Sequence, residues 1–128
     1  MTSAIRRLRF VKIHSLRNQA CVAHQCFIAD SFFSRLRGLI GTKSLSEGEG
    51  LFLSHCNDIH MWFMSIPIDV VFVKKKSDTV FQITSIHPHV KPWKFIPIRD
   101  SQADQTLELA LHTIERCHLQ KGDLLCIA

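Results

Sequence analysis

The chain lacks any run of about 20 apolar residues free of charge, the length a helix needs to cross a bilayer. Its densest apolar stretch, NDIHMWFMSIPIDVVFV from Asn57 to Val73, carries Asp58, His60 and Asp69 and is interrupted by Pro67, so no membrane span is expected there. The opening MTSAIRRLRFVKIHSL has arginines but neither an uninterrupted apolar core nor a small-residue cleavage site. No secretory signal is therefore expected, and the expected address is cytoplasmic. The five cysteines, Cys21, Cys26, Cys56, Cys117 and Cys126, include no C-x-x-C pair. That spacing excludes a zinc ribbon, and the odd count points to reduced thiols rather than a disulfide framework. Internal repeats, low-complexity segments and a G-x-x-x-x-G-K-[ST] signature are missing as well. Gly38, Gly41, Gly48 and Gly50 are accordingly assigned to the end of a helix and the turn into a strand, not to a phosphate loop.

What is present fits one domain, residues 1–128, because 128 residues at 46% hydrophobic content suffice for a single packed core. A net charge of +5 permits an acidic partner, anionic lipid or nucleic acid without selecting one. The basic residues Arg6, Arg7, Arg9, Arg35, Arg37, Lys74 to Lys76, Lys91 and Lys94 are scattered. Trp93 and Phe95 lie near two of them, but no RNA-binding motif does, so a solvated basic surface is expected and nucleic acid is not.

Alternation of about two dominates the apolar pattern, which predicts a mainly β domain, a sandwich or barrel-like fold with two short helices. Strands are predicted over Cys21 to Ile28, Leu51 to Leu53, Thr106 to Leu111 and Leu124 to Ile127. Ile68 to Val73 and Thr79 to Ile86 are joined by the polar KKKSD and read as an antiparallel hairpin. Ser31 can cap a first helix ending near Gly41, and a second is predicted from His112 to His118. HPHVKPWKFIPIRDSQADQ, with three prolines, is predicted to be a long surface loop holding at most one short strand.

Several pieces occur together in one order: RLRGLIG (Arg35 to Gly41), GEGLFL (Gly48 to Leu53), IHMWFMSIPIDVVFV (Ile59 to Val73), Pro92-Trp93, LEL (Leu107 to Leu109) and KGDLL (Lys121 to Leu125). In these the chain resembles the DUF192 (UPF0127) family of small proteins, over about residues 20–127. The resemblance implies a compact β-sandwich or barrel and no established activity. It also implies an association with pilus-type secretion machinery, since forms with this Asn, Ile-His, Phe-Met and Pro-Ile-Asp pattern are encoded near it. Two departures stand out: Ser65 occupies a position usually basic or Asn, and Leu111-His112 replaces a small residue and glycine after the LEL strand. An anionic ligand held by that basic residue is therefore not implied for this chain.

The expected function is a non-enzymatic accessory module binding a small ligand or an unknown protein partner. Its candidate pocket has His60 and Asp69 as polar groups on an apolar wall of Trp62, Met64 and Trp93. The competing structural reading makes His60 a satisfied core histidine and Asp69 a turn anchor reaching back to His60 or to backbone N–H groups of the bend at Ser65 to Pro67. An enzyme using His60 with Asp69, or Cys56 beside His55, is the alternative function. No cofactor and no catalytic residue is assigned. His55, Cys56 and His60, and the pair His87 and His89, have the composition of metal ligands. Pro88 between the last two spoils the strand geometry that a shared site needs, and no metal is expected.

Overall fold

The computed structural model describes residues 9–29, 45–55, 58–59, 66–91 and 98–128. In chain order these form β1 (Arg9–Ser15), β2 (Cys21–Ala29), β3 (Glu49–Ser54), β4 (Asp58–Ile59), β5 (Ile68–Lys75), β6 (Val80–Val90), β7 (Ile98–Arg99), β8 (Gln105–Leu109), α1 (Thr113–Arg116) and β9 (Leu124–Ile127). Seven strands close a barrel in the order β1-β2-β3-β8-β5-β6-β9, and β4 pairs separately with β7. Within the barrel only the β2–β3 ladder is parallel.

The expected hairpin is β5–β6. Its turn is fixed by the Ser77 hydroxyl, which accepts from the N–H groups of Thr79 and Val80 at 3.4 and 3.1 Å, a local side-chain turn typical of serine. The strand after it runs further than expected, through His87-Pro88-His89 to Val90. The segment expected to be loop is accommodated because β6 carries an extra residue between the pairings Val70↔His87 and Ile68↔Val90. A bulge is where a proline can enter a ladder at least cost. The first strand, β1, was not anticipated, and the short β7 is the one strand allowed within the loop segment. The Ser31 to Gly41 helix lies outside the described residues.

Two apolar clusters occupy the two faces of the barrel wall. Ile13, Cys26, Phe52, Val71, Ile83, Leu107 and Leu125 draw on all seven barrel strands and make the interior. Leu51, Leu53, Ile68, Val70 and Phe72 make a second cluster with Ile98 and Ala103. Because side chains alternate along a strand, this second cluster lies on the outer face of β3, β8 and β5. Both β5, up to Val73, and β8 are buried throughout, which explains why IDVVFV shows no alternation.

Connectivity explains what covers that outer face. Both β3 and β5 run antiparallel to β8, so the chain leaving β3 must return to the far end to start β5. The stretch between β6 and β8 makes the same return, since β6 ends opposite Ile68 while β8 starts opposite Val73. β4 lies in the first return and β7 in the second, and they pair as Asp58↔Arg99 and Ile59↔Ile98. Ile98 belongs to the outer cluster, which places this pair over the outer face.

Ile114, Cys117 and Leu119 join the interior cluster, so α1 closes one mouth of the barrel. The helix is shorter than the predicted His112 to His118. Leu119 N–H donates to the Ile114 carbonyl and His118 N–H to the Glu115 carbonyl, the paired bonds of a Schellman ending, with His118 at φ 53° where glycine is usual. The chain follows its own hydrogen bonds against side-chain preference. His118→Gly is expected to raise stability by about 0.5–1 kcal/mol through relief of the left-handed conformation, checked by urea unfolding. An unchanged or lowered midpoint would show that the imidazole contributes more than its strain costs.

Candidate functional site

Asp69 is 1% exposed and stands opposite Leu109 on the interior side of β5. Its Oδ1 accepts from the N–H of His89 and its Oδ2 from the N–H of Ile114, each at 2.9 Å. The first donor is the residue at the β6 bulge, with φ 53°, whose N–H the distorted ladder leaves over. The second is in the first turn of α1, where His112 at the N-cap has φ 73° and no side-chain capping bond. A strand carboxylate thus caps a helix remote in sequence. The residue does accept backbone N–H bonds, among the described residues those of His89 and Ile114, while His60 and Ser65 of the expected contact lie outside the described residues. Left-handed His112 also accounts for the family's glycine at that place.

On the opposite, outer face, Glu108 lies between Leu51 of β3 and Val70 of β5. It is 0% exposed, and neither Oε1 nor Oε2 has a hydrogen-bond partner among the described residues. Burial pushes its carboxyl up to about 8, so it holds its proton near neutral pH. A buried acid without a donor is costly and rare. Sequence reasoning passed over it as the middle of LEL, because alternation assigns an acid between two leucines to solvent. The overlooked signal is the double-sided burial of β8, which only its neighbours reveal.

The row continues across Val70 to His87 of β6. The His87 ring meets Phe72 edge to face at 5.4 Å between centroids, and its Nε2 is 3.2 Å from Ser85 Oγ. Burial lowers the His87 pKa, and the charge of Asp100 opposes this in part. Asp100 Oδ2 accepts from Thr84 Oγ1 at 2.6 Å and from Ser85 Oγ at 2.7 Å. These neighbours reach one carboxylate because β6 gains a residue between Phe72↔Ser85 and Val73↔Ile83. Burial would raise Asp100, but the two hydroxyls, the Gln102 N–H and His87 together hold its pKa below the ordinary 3.8.

Serine, histidine and aspartate in one cluster invite comparison with a nucleophilic triad, and the order rules it out. An ionised Asp100 can only accept, so Ser85 spends its single proton on it and can only accept from His87 Nε2–H. The imidazole cannot take a proton that already points at the carboxylate, and a triad needs the base between nucleophile and acid. The cluster ties the chain after β7 to β6.

His87 and His89 do not converge on one site, and Cys56 and His60 lie outside the described residues. His87 faces Phe72 and Ser85, while His89 contacts His112 at 6.2 Å between ring centroids. No group of three potential ligands occurs among the described residues. Cys21, Cys26, Cys117 and Cys126 carry free thiols, and burial pushes Cys26 up to about 12, which leaves it unreactive. Of the pocket set, only Asp69 is placed. His60, Trp62, Met64 and Trp93, together with Cys56, lie outside the described residues. By sequence His60, Trp62 and Met64 follow directly on β4, and Trp93 precedes β7 by five positions, so this group flanks in sequence the strand pair whose Ile98 joins the outer cluster. No described helix is long and apolar enough to cross a membrane.

Comparison with known proteins agrees with this architecture. Residues 13–127 match the family model of DUF192, described as an uncharacterized ACR. No curated protein matches the chain. A protein of unknown function from Novosphingobium aromaticivorans DSM 12444 has a similar structure, with a TM-score of 0.75 at 17% identity over 92% of this chain and 84% of its own. Another from Sinorhizobium meliloti 1021, described as a proposed transcription regulator, gives 0.73 at 21% identity over 90% and 89%. At such identities the likeness concerns the fold.

Proposed function

This chain belongs to the DUF192 family, and from that premise we propose that it is a non-enzymatic binding module with its small-ligand pocket on the outer face of the barrel. Trp62, Met64 and Trp93 wall the pocket and His60 supplies a polar group. Asp69 acts from the other side of β5, holding the start of the strand to which the His60 segment returns. The observation that carries this reading is Glu108, a buried carboxyl with both oxygens unpartnered among the described residues, between Leu51 and Val70 of the outer cluster that Ile98 of β7 joins. A polar group kept in an apolar wall without a partner is characteristic of a site that receives one from outside. Service to a larger assembly, the pilus-type apparatus of the family resemblance, is the partner side of the same proposal. Acid–base catalysis by His60 with Asp69 is less well supported, because both Asp69 oxygens already accept backbone N–H groups.

The chain offers its own reporter. It has two tryptophans, Trp62 and Trp93, and no tyrosine, so its tryptophan emission arises wholly from the proposed pocket. Titration with small aromatic probes is expected to change that emission saturably, and Trp93→Phe to shrink the response without unfolding the domain. A spectrum indifferent to every probe would sink the pocket.

A further inference from the structure

We propose that His89 and His112 form a two-imidazole site for a divalent transition-metal ion, zinc or copper, at the end of the barrel that α1 closes. The site is separate from the outer-face pocket and does not rest on it. His89 belongs to the β6 bulge and His112 is the N-cap of α1, yet their rings meet edge to face with centroids 6.2 Å apart. Both residues are exposed, so an ion reaches them from solvent. Two imidazole nitrogens at about 2.0–2.1 Å from one tetrahedral zinc ion place their ring centroids roughly 5 Å apart, about 1 Å closer than these rings stand. Small rotations about the side-chain torsions of two exposed rings cover that difference.

The backbone supplies a second argument. His89 has φ 53° and His112 φ 73°, a region that strains any side chain and leaves glycine at ease. At His112 no side-chain capping bond offsets that strain, whereas an ion held between the two rings gives both imidazoles a use. Preorganisation is the third argument. Asp69 Oδ1 accepts from the N–H of His89, and its Oδ2 from the N–H of Ile114, two positions beyond His112. One buried carboxylate thus fixes both segments that carry the rings, and ligands held in place beforehand lose little freedom on binding. The donors select the ion. Imidazole nitrogen suits zinc, copper and nickel, while magnesium and calcium prefer oxygen. No third protein ligand joins the pair among the described residues, so water completes the coordination and leaves positions that an added ligand could take.

Calorimetric titration of the untagged chain with zinc, copper(II) and magnesium chlorides tests the proposal. One zinc ion per chain is expected to bind, copper(II) more tightly, and magnesium not at all. The chain has eight histidines, so the variants must assign the ion. His112→Gly keeps the left-handed backbone and removes one ligand, and is expected to stay folded while losing at least tenfold in zinc affinity. His89→Asn, which tolerates the same conformation, should lose as much. His118→Gly changes a left-handed histidine outside the pair and should bind zinc as wild type does. Because the two ligands lie on different elements, zinc should also raise the urea midpoint of the wild type and leave that of His112→Gly where it is. Zinc binding undiminished in His112→Gly or in His89→Asn would put the ion on other histidines and overturn the site. So would the absence of saturable binding of either zinc or copper to the wild type.

Discussion

Asp69→Ala is expected to lower the free energy of unfolding by about 3 to 6 kcal/mol, from two hydrogen bonds to a charged acceptor at roughly 1.5–3 kcal/mol each. The loss is large because of what remains behind. The N–H groups of His89 and Ile114 keep their places in the β6 bulge and the first turn of α1, and removing the carboxylate leaves both without their acceptor in a site that is 1% exposed. The effect should also be cooperative, since one side chain joins a strand, a bulge and the helix that closes the barrel. Asp69→Asn keeps one acceptor oxygen and turns an NH2 donor towards the other N–H, so it is expected to recover less than half the loss. Urea unfolding of the three proteins measures this. An Asp69→Ala midpoint equal to wild type would dismiss the anchoring role.

The second large effect is a dependence of stability on pH that runs against the usual direction for a carboxylate. Folding raises the Glu108 carboxyl from 4.5 to about 8. Between those values the folded chain holds a proton that the unfolded chain has released, so this group's contribution is full below about pH 4.5 and declines until about pH 8. A difference of that size corresponds to an amplitude on the order of 3 to 5 kcal/mol. Asp100 and Asp123 act in the opposite sense, because their pKa values are lowered in the fold, and their stabilisation is lost as pH falls. Subtracting the curve of Glu108→Gln from that of wild type removes these common contributions. The ligand-free variant is expected to match wild type near pH 4.5 and to exceed it by several kcal/mol at pH 8. A flat difference curve would mean that Glu108 has the same protonation behaviour folded and unfolded.

The two acids show how unevenly function is written in the chain. Asp69 could be singled out because it sits two positions after Pro67 at the head of a β-branched run, a local context that demands an explanation. Glu108 could not. Its neighbours Leu107 and Leu109 describe an ordinary half-exposed strand, and nothing local says that the other face is covered. Among the histidines, His55, His89, His112 and His118 share a left-handed backbone, yet no property of histidine announces it. At the last three the conformation is imposed by the bulge and by the two ends of α1.

The amino-acid sequence by itself determined the β class, the β5–β6 hairpin, the final strand and the place of α1. Each rests on interactions between residues a few positions apart: alternation, a serine that closes a turn, apolar spacing on one helical face. The tertiary structure alone decided that β2 and β3 run parallel, that β8 is buried on both sides, and that bulges bring Thr84 and Ser85 to one carboxylate. It also decided the partners of Asp69, which lie 20 and 45 positions away. Strand pairing is a contact between distant segments whose free energy depends on the whole set of neighbours, and a hydrogen bond across the barrel has no signature in the residues beside it.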